Sequence, residues 1–200
     1  MGLGKSVSIL GCGQTGQHWD GAGESIGVND CFKFRPTDYL MVINPPNSFT
    51  PERRKIIQDS KPHHFITDSR AFLIGRVHQP EAIKSRMDYK ELYCSNGRGV
   101  IHYRFSKWKG KLEKWIQYSS TSPFAAISLA YVLGYKEITL WGVDFITHRT
   151  WKAENPHMME ELENYKSFFK QLEEVGVRVY LGHHESLLNQ IISTHEHTTI

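Results

Sequence analysis

No apolar run in this chain approaches the roughly twenty residues that a membrane-spanning helix needs, so no integral membrane segment is expected. Cysteine is scarce. Cys12, Cys31 and Cys94 are odd in number and no two share a CxxC spacing. With no signal peptide legible at the start, a reducing, cytoplasmic setting is expected. Neither charge sign dominates: 24 Lys and Arg stand against 21 Asp and Glu. Nucleic-acid binding normally needs a concentrated basic stripe. The densest candidate, Arg104, Lys107, Lys109, Lys111 and Lys114, reads as a solvated face. Repeats and low-complexity linkers are missing, and 200 residues suit one domain better than two. The chain has no Asp-x-Asp pair, which argues against a metal-held diphosphate. His63-His64, His183-His184 and His195/His197 lack ligand spacing with an acid or cysteine, so they are expected on the surface. Two N-terminal patterns are discounted. Met1-Gly2 to Ser6 fits N-myristoylation loosely but runs into a strand. Gly4-Lys5-Ser6 ends like a P-loop that has no room for its upstream glycine.

What is present is an alternation of strands and helices. Strands are expected at Ser6–Gly11, Ser25–Asn29, Tyr39–Asn44, His64–Thr67, Ile138–Phe145 and Val177–Leu181. A short helix comes after the first strand. Another opens at Thr50-Pro51, where threonine caps and proline takes the first position. Ser122 to Leu133 is apolar all round, which predicts a buried helix stopped by Gly134. From Pro156 to Gly176, Met158, Leu162, Tyr165, Phe169 and Leu172 form an apolar stripe at helical spacing. Ser186–Ile192 reads as a final short helix. The run Ile138–Phe145 has no polar alternation, as a strand covered on both faces requires. The fold class is therefore α/β, Rossmann-like: a mostly parallel sheet with helices on both faces. One domain spans residues 1–200, with residues 70–117 a lid or insertion containing a helix near Pro80–Tyr93 and then a hairpin or lid.

Ligands of such sheets bind beyond the carboxyl ends of the strands. The turn Gly11-Cys12-Gly13-Gln14-Thr15-Gly16 lets backbone approach an anion at a helix N-terminus. It also matches a dinucleotide fingerprint, with Asp30 at ribose distance. Asn29 and Asn44 stand at strand termini, where an amide both donates and accepts. Thr121 and Ser122 open the buried helix. They suit a carboxylate or phosphate, and Ser122 is also placed to cap the helix. Gly142-Val143-Asp144-Phe145 ends the central strand.

Taken in order, these motifs resemble the bacterial sialyltransferases of glycosyltransferase family forty-two. They are also similar to a broader group of pterin-pyrophosphokinase-like and uncharacterised Rossmann-like proteins. Thr121-Ser122 to Ala130, Leu133-Gly134-Tyr135-Lys136-Glu137-Ile138 and Gly142-Val143-Asp144-Phe145 carry the likeness most specifically. The resemblance implies a single nucleotide-binding domain, a CMP-sugar donor, and neither metal nor cofactor. It places Gly11, Gly13, Asn29 and Asn44 on the nucleotide, and Thr121 and Ser122 on the donor's carboxylate or phosphate. Gly142, Asp144 and Phe145 fall on the cytosine side. His157 becomes the general base, at a helix N-terminus that favours a neutral imidazole. Three positions depart from the family: Cys12 replaces an asparagine, Ser119 an arginine and Ile146 a tyrosine.

The leading expectation is a metal-independent glycosyltransferase-like enzyme, taking a nucleotide sugar and a glycan or other hydroxyl acceptor. A non-catalytic nucleotide-binding module is the alternative that the departures support. An NAD-dependent oxidoreductase rests on the glycine turn and Asp30 alone. A homo-oligomer is compatible with all three.

Overall fold

Buried side chains along the strands alternate between two faces, and that alternation builds a core on each side of one sheet. The structure, a computed structural model, describes residues 4–69, 72, 91–95, 100–145 and 156–192. Its strands are β1 (Ser6–Leu10), β2 (Ser25–Val28), β3 (Tyr39–Val42), β4 (His64–Thr67), β5 (Glu91–Ser95), β6 (Val100–Lys107), β7 (Ile116–Tyr118), β8 (Glu137–Trp141) and β9 (Arg178–Leu181). Its α-helices are α1 (Pro51–Asp59), α2 (Ser122–Val132) and α3 (Pro156–Glu174). The sheet order is β7-β6-β5-β4-β3-β2-β1-β8-β9. From β4 across to β9 every pair is parallel. β5 and β6 form an antiparallel hairpin that continues the sheet beyond β4. The hairpin expected in the middle of the chain is therefore there. Most of the helix expected at Pro80–Tyr93 lies outside the described residues, but its end, Glu91–Tyr93, is strand.

On one face Ile9, Ile26, Val28, Met41 and Ile66 pack with α2 and α3; on the other, Leu10, Leu40, Val42 and Phe65 pack with Ile57 of α1. Every residue of α2 from Phe124 to Ala130 is buried, which is why the helix is apolar all round. Gly134 and Gly176 stop α2 and α3 in the left-handed region, at φ +87 and +75, where a Cβ would be strained. The other parallel strands stop or start within one or two residues of expectation, and two elements differ more. The central strand ends at Trp141, not Phe145, because Gly142 turns left-handed at φ +66. The last helix is a 3-10 turn, Leu187–Gln190, with the Ser186 hydroxyl accepting the Leu188 N–H at 3.1 Å.

Asp68, just past β4, carries a pH signature. Burial pushes its carboxyl up to about 6, above the ordinary 3.8. A raised carboxyl binds its proton more tightly folded than unfolded. Its favourable contribution is thus complete below about pH 4 and is lost as pH rises through 6. Asp68→Asn is expected to raise the melting temperature at pH 7.5, by an amount equivalent to about 1–3 kcal/mol, and to leave it unchanged at pH 4. Thermal scans at the two pH values check this; equal shifts at both would show that the titration is not the cause.

Candidate functional site

A cleft of about 960 Å³ opens over the carboxyl ends of β1, β2, β3 and β8, between the N-termini of α1 and α2. Chain order reverses here, since β1 is flanked by β2 on one side and β8 on the other; such a switch point is where α/β sheets bind ligands. Eight residues expected at a site line the cleft: Gly13, Asn29, Asn44, Thr121, Ser122, Gly142, Asp144 and Phe145. Gly11 and His157 are not among its lining residues.

The cleft's polar floor joins three elements. The Ser122 hydroxyl donates to Asn44 Oδ1 at 2.7 Å and accepts from Asn29 Nδ2 at 3.3 Å. Asn29 sits in the left-handed region at φ 54, a conformation asparagine tolerates better than most residues. Its backbone N–H is held by the Met41 carbonyl at 2.9 Å. Asn29 Oδ1 is buried and has no hydrogen-bond partner among the described residues. Leaving such an acceptor unmet costs about 1–3 kcal/mol, so a ligand donor placed there would be favoured. Contrary to expectation, Ser122 does not cap α2. The cap position is Thr121, and its hydroxyl does not cap either.

Thr121 is instead committed to a buried acid. Glu161 of α3 is fully buried. It accepts the Thr121 N–H at 3.1 Å, the Thr121 hydroxyl at 2.8 Å, the Ser120 N–H at 3.2 Å and the Ser119 hydroxyl. The Thr121 hydroxyl and N–H are thereby withheld from an incoming anion. Thr121 Oγ1 also lies 2.8 Å from the Tyr165 hydroxyl. Burial, and after it the Glu161 charge, pushes that phenol well above its ordinary value.

Four of the six N–H groups of the glycine turn, including those of all three glycines, are likewise occupied. Gly11 and Gly13 N–H groups go to the carbonyls of Trp141 and Gly142 at 2.7 and 2.8 Å, and Gly16 N–H goes to Gly13. Thr15 N–H and its hydroxyl both go to Asp144. The turn leads into a five-residue 3-10 segment, Gln14–His18, rather than a helix whose N-terminus could take a phosphate. A Cβ on Gly11 would collide with the Gly142 carbonyl, lying 2.7 Å from its carbon and closer still to its oxygen. These glycines are therefore required because two chain turns cross here, and Asp144 braces the crossing. The oxidoreductase reading loses both supports, because Asp30 is committed as well. Arg53 reaches Asp30 Oδ1 through Nε at 2.9 Å and Nη2 at 2.5 Å, and Lys33 lies 3.9 Å from Oδ2. Burial works to raise the Asp30 carboxyl, but the Arg53 guanidinium outweighs it and holds the carboxyl below its ordinary value. Cys12 donates to the Val28 carbonyl at 3.2 Å and to Asp30 at 3.4 Å. Burial, and then the Asp30 charge, pushes its thiol up to about 12, so it is no nucleophile at neutral pH.

His157 lies in the first turn of α3, its side chain 75% exposed and its Nδ1 4.0 Å from Glu160 Oε2. It precedes Glu161 by one helical turn, about 6 Å along the same face, and lines no part of the cleft. Among the described residues no group of three or more His, Cys, Asp and Glu could hold a metal. No helix there is long and apolar enough to cross a membrane.

Three residues of the cleft region do not stand out in the sequence as site groups: Lys33, Arg53 and Glu161. Arg53 does leave a signal. A cation in the first turn of a helix opposes the helix dipole, and such a misplacement points to a partner acid.

No family model and no curated protein matches the sequence. Solved structures do. A monofunctional alpha-2,3-sialyltransferase from Campylobacter jejuni aligns at a TM-score of 0.50 and 13% identity, over 96% of this chain and 80% of that one. A sialyltransferase in complex with trisaccharide acceptor and CMP aligns at 0.49 and 14%, over 95% and 86%. A Campylobacter jejuni sialyltransferase bound to the substrate analogue CMP-3FNeuAc aligns at 0.47 and 14%, over 95% and 85%. At these identities what is shared is the Rossmann-like fold.

Proposed function

We propose that this protein is a sialyltransferase-like glycosyltransferase that binds a CMP-type nucleotide donor in the cleft and needs neither divalent metal nor cofactor. The observation that carries the reading is the linked set Asn29–Ser122–Asn44, with a buried amide oxygen left open at the carboxyl ends of the strands. Amides read nucleotides by donating and accepting at once. Metal independence rests on the commitments of the cleft acids: Asp30 to Arg53 and Lys33, Asp144 to Thr15. In the reaction, the acceptor hydroxyl adds to the donor's anomeric carbon while the carbon–oxygen bond to phosphate breaks. CMP leaves with that electron pair, and His157 takes the hydroxyl proton as general base. Cytoplasmic location and a glycan or other hydroxyl acceptor complete the proposal.

Calorimetric titration with CMP is expected to give the same affinity with and without EDTA. Ser122→Ala is expected to weaken CMP about tenfold, or 1.4 kcal/mol, with a melting shift of a few degrees at most. Binding seen only with magnesium or manganese would rule out the metal-free site. The second reading, a nucleotide-binding module without catalysis, draws on the position of His157 outside the cleft lining. CMP release from a CMP-sugar in the presence of acceptors separates the two.

A further inference from the structure

The two walls of the cleft differ in charge. One, formed by the turn after β2 and the N-terminus of α1, carries Lys33 and Arg53, two cations against the single Asp30 carboxylate. Lys33 is 37% exposed, and its ammonium donates to the Cys12 carbonyl at 2.9 Å. The opposite wall, Ser120–Ser122, is backed by the buried Glu161 carboxylate. That carboxylate accepts the Ser120 and Thr121 N–H groups at 3.2 and 3.1 Å. Donors surround it: two backbone N–H groups, the Ser119 and Thr121 hydroxyls, and the Asn164 amide at 3.4 Å. A carboxylate, with two oxygens and about four lone-pair sites, can accept from the whole set. A helix N-terminus ordinarily attracts anions; here a carboxylate of the protein already stands against the two residues that lead into it, Ser120 and Thr121.

We propose that the cleft takes a donor with a single negative centre: the phosphate seats on the Lys33–Arg53 wall, and the transferred group, lying against Ser120–Ser122, is uncharged. This assignment rests on the nucleotide reading above and narrows it. A sugar bearing a carboxylate beside its anomeric carbon would bring a second anion to the wall in front of Glu161. There, partly desolvated, two like charges repel far more than they do in water, and none of the donors committed to Glu161 is free to compensate. The position at which the resembling family has an arginine is Ser119, which donates to the same carboxylate. Negative charge therefore stands where positive charge would be needed to hold an acid sugar.

Calorimetry with cytidine, CMP and CMP-N-acetylneuraminate tests this on the native protein and on Lys33→Gln and Glu161→Gln. On the native protein CMP should bind about tenfold more tightly than cytidine, and the acid-bearing donor at least tenfold more weakly than CMP. Lys33→Gln should remove most of the CMP-over-cytidine preference and leave cytidine unchanged. Glu161→Gln should bring the acid-bearing donor towards CMP. If that variant does not fold, the native comparison decides alone. An acid-bearing donor that binds the native protein as tightly as CMP overturns the assignment while leaving the nucleotide reading in place. A Lys33→Gln protein that keeps the full phosphate preference overturns it too. Failure of both cytidine and CMP to bind overturns the nucleotide reading and this assignment together.

Discussion

Replacing His157 by alanine is expected to lower sugar transfer about 10²–10⁴-fold, the usual worth of a positioned general base, while the CMP dissociation constant and the melting temperature stay where they are. The side chain is three-quarters exposed and lines no part of the cleft, so its removal should disturb neither folding nor CMP binding. Its position gives the reason to expect a rate effect. Glu161, one turn further along α3, is locked to the backbone of Ser120 and Thr121, so the end of α3 that bears His157 is fixed relative to the segment that borders the cleft. Steady-state kinetics with a CMP-sugar, read against calorimetry with CMP, make the comparison. A variant that keeps full turnover would remove His157 from the reaction and favour another base or the non-catalytic module.

Gly11→Ala is expected to cost about 3 kcal/mol or more, since overpacking against immovable backbone lies at the severe end of single substitutions. For a chain of this size that is a fall of roughly 10 °C in melting temperature. The added methyl would overlap the Gly142 carbonyl oxygen and lie 2.7 Å from its carbon. Backbone cannot step aside as a side chain can. Sequence alone points Gly11 at the ligand, and that role predicts lost affinity at unchanged stability. Differential scanning calorimetry of the variant without ligand separates the two roles: a stable Gly11→Ala protein with weakened CMP binding would restore the ligand-facing one.

The contrast between Gly11 and Asn29 shows what a sequence can say about such a site. Periodicity locates the parallel strands to within a residue or two, because a strand covered on both faces must be apolar along its length. Topology then puts the chemistry at the strand ends, and there Asn29, Asn44 and Ser122 meet. Hydrogen-bond commitments are not legible. The glycine turn looks the same in sequence whether its N–H groups face a phosphate or, as here, a turn from the far end of the chain. Glu161 reads as one more acid in the first turns of an amphipathic helix, and only the packing of α3 against the N-terminus of α2 reveals what it holds. The strand expected at Ile138–Phe145 runs too long for a related reason. Val143 and Phe145 are apolar because the core needs them, while Gly142 and Phe145, at φ +66 and +58, have left the extended conformation.

The placement of β1 has a consequence for how the chain reaches this state. β1 pairs with β2 soon after it in sequence, but its other edge waits for β8, with Ser6 opposite Glu137 and Leu10 opposite Trp141. Closing a loop of roughly 130 residues before any ladder bond forms is slow. During vectorial synthesis the first four strands can assemble, yet they present an unpaired apolar edge until the last third of the chain emerges. The seam between β1 and β8 is therefore expected to close last, and refolding yield should fall with protein concentration as exposed edges find one another first.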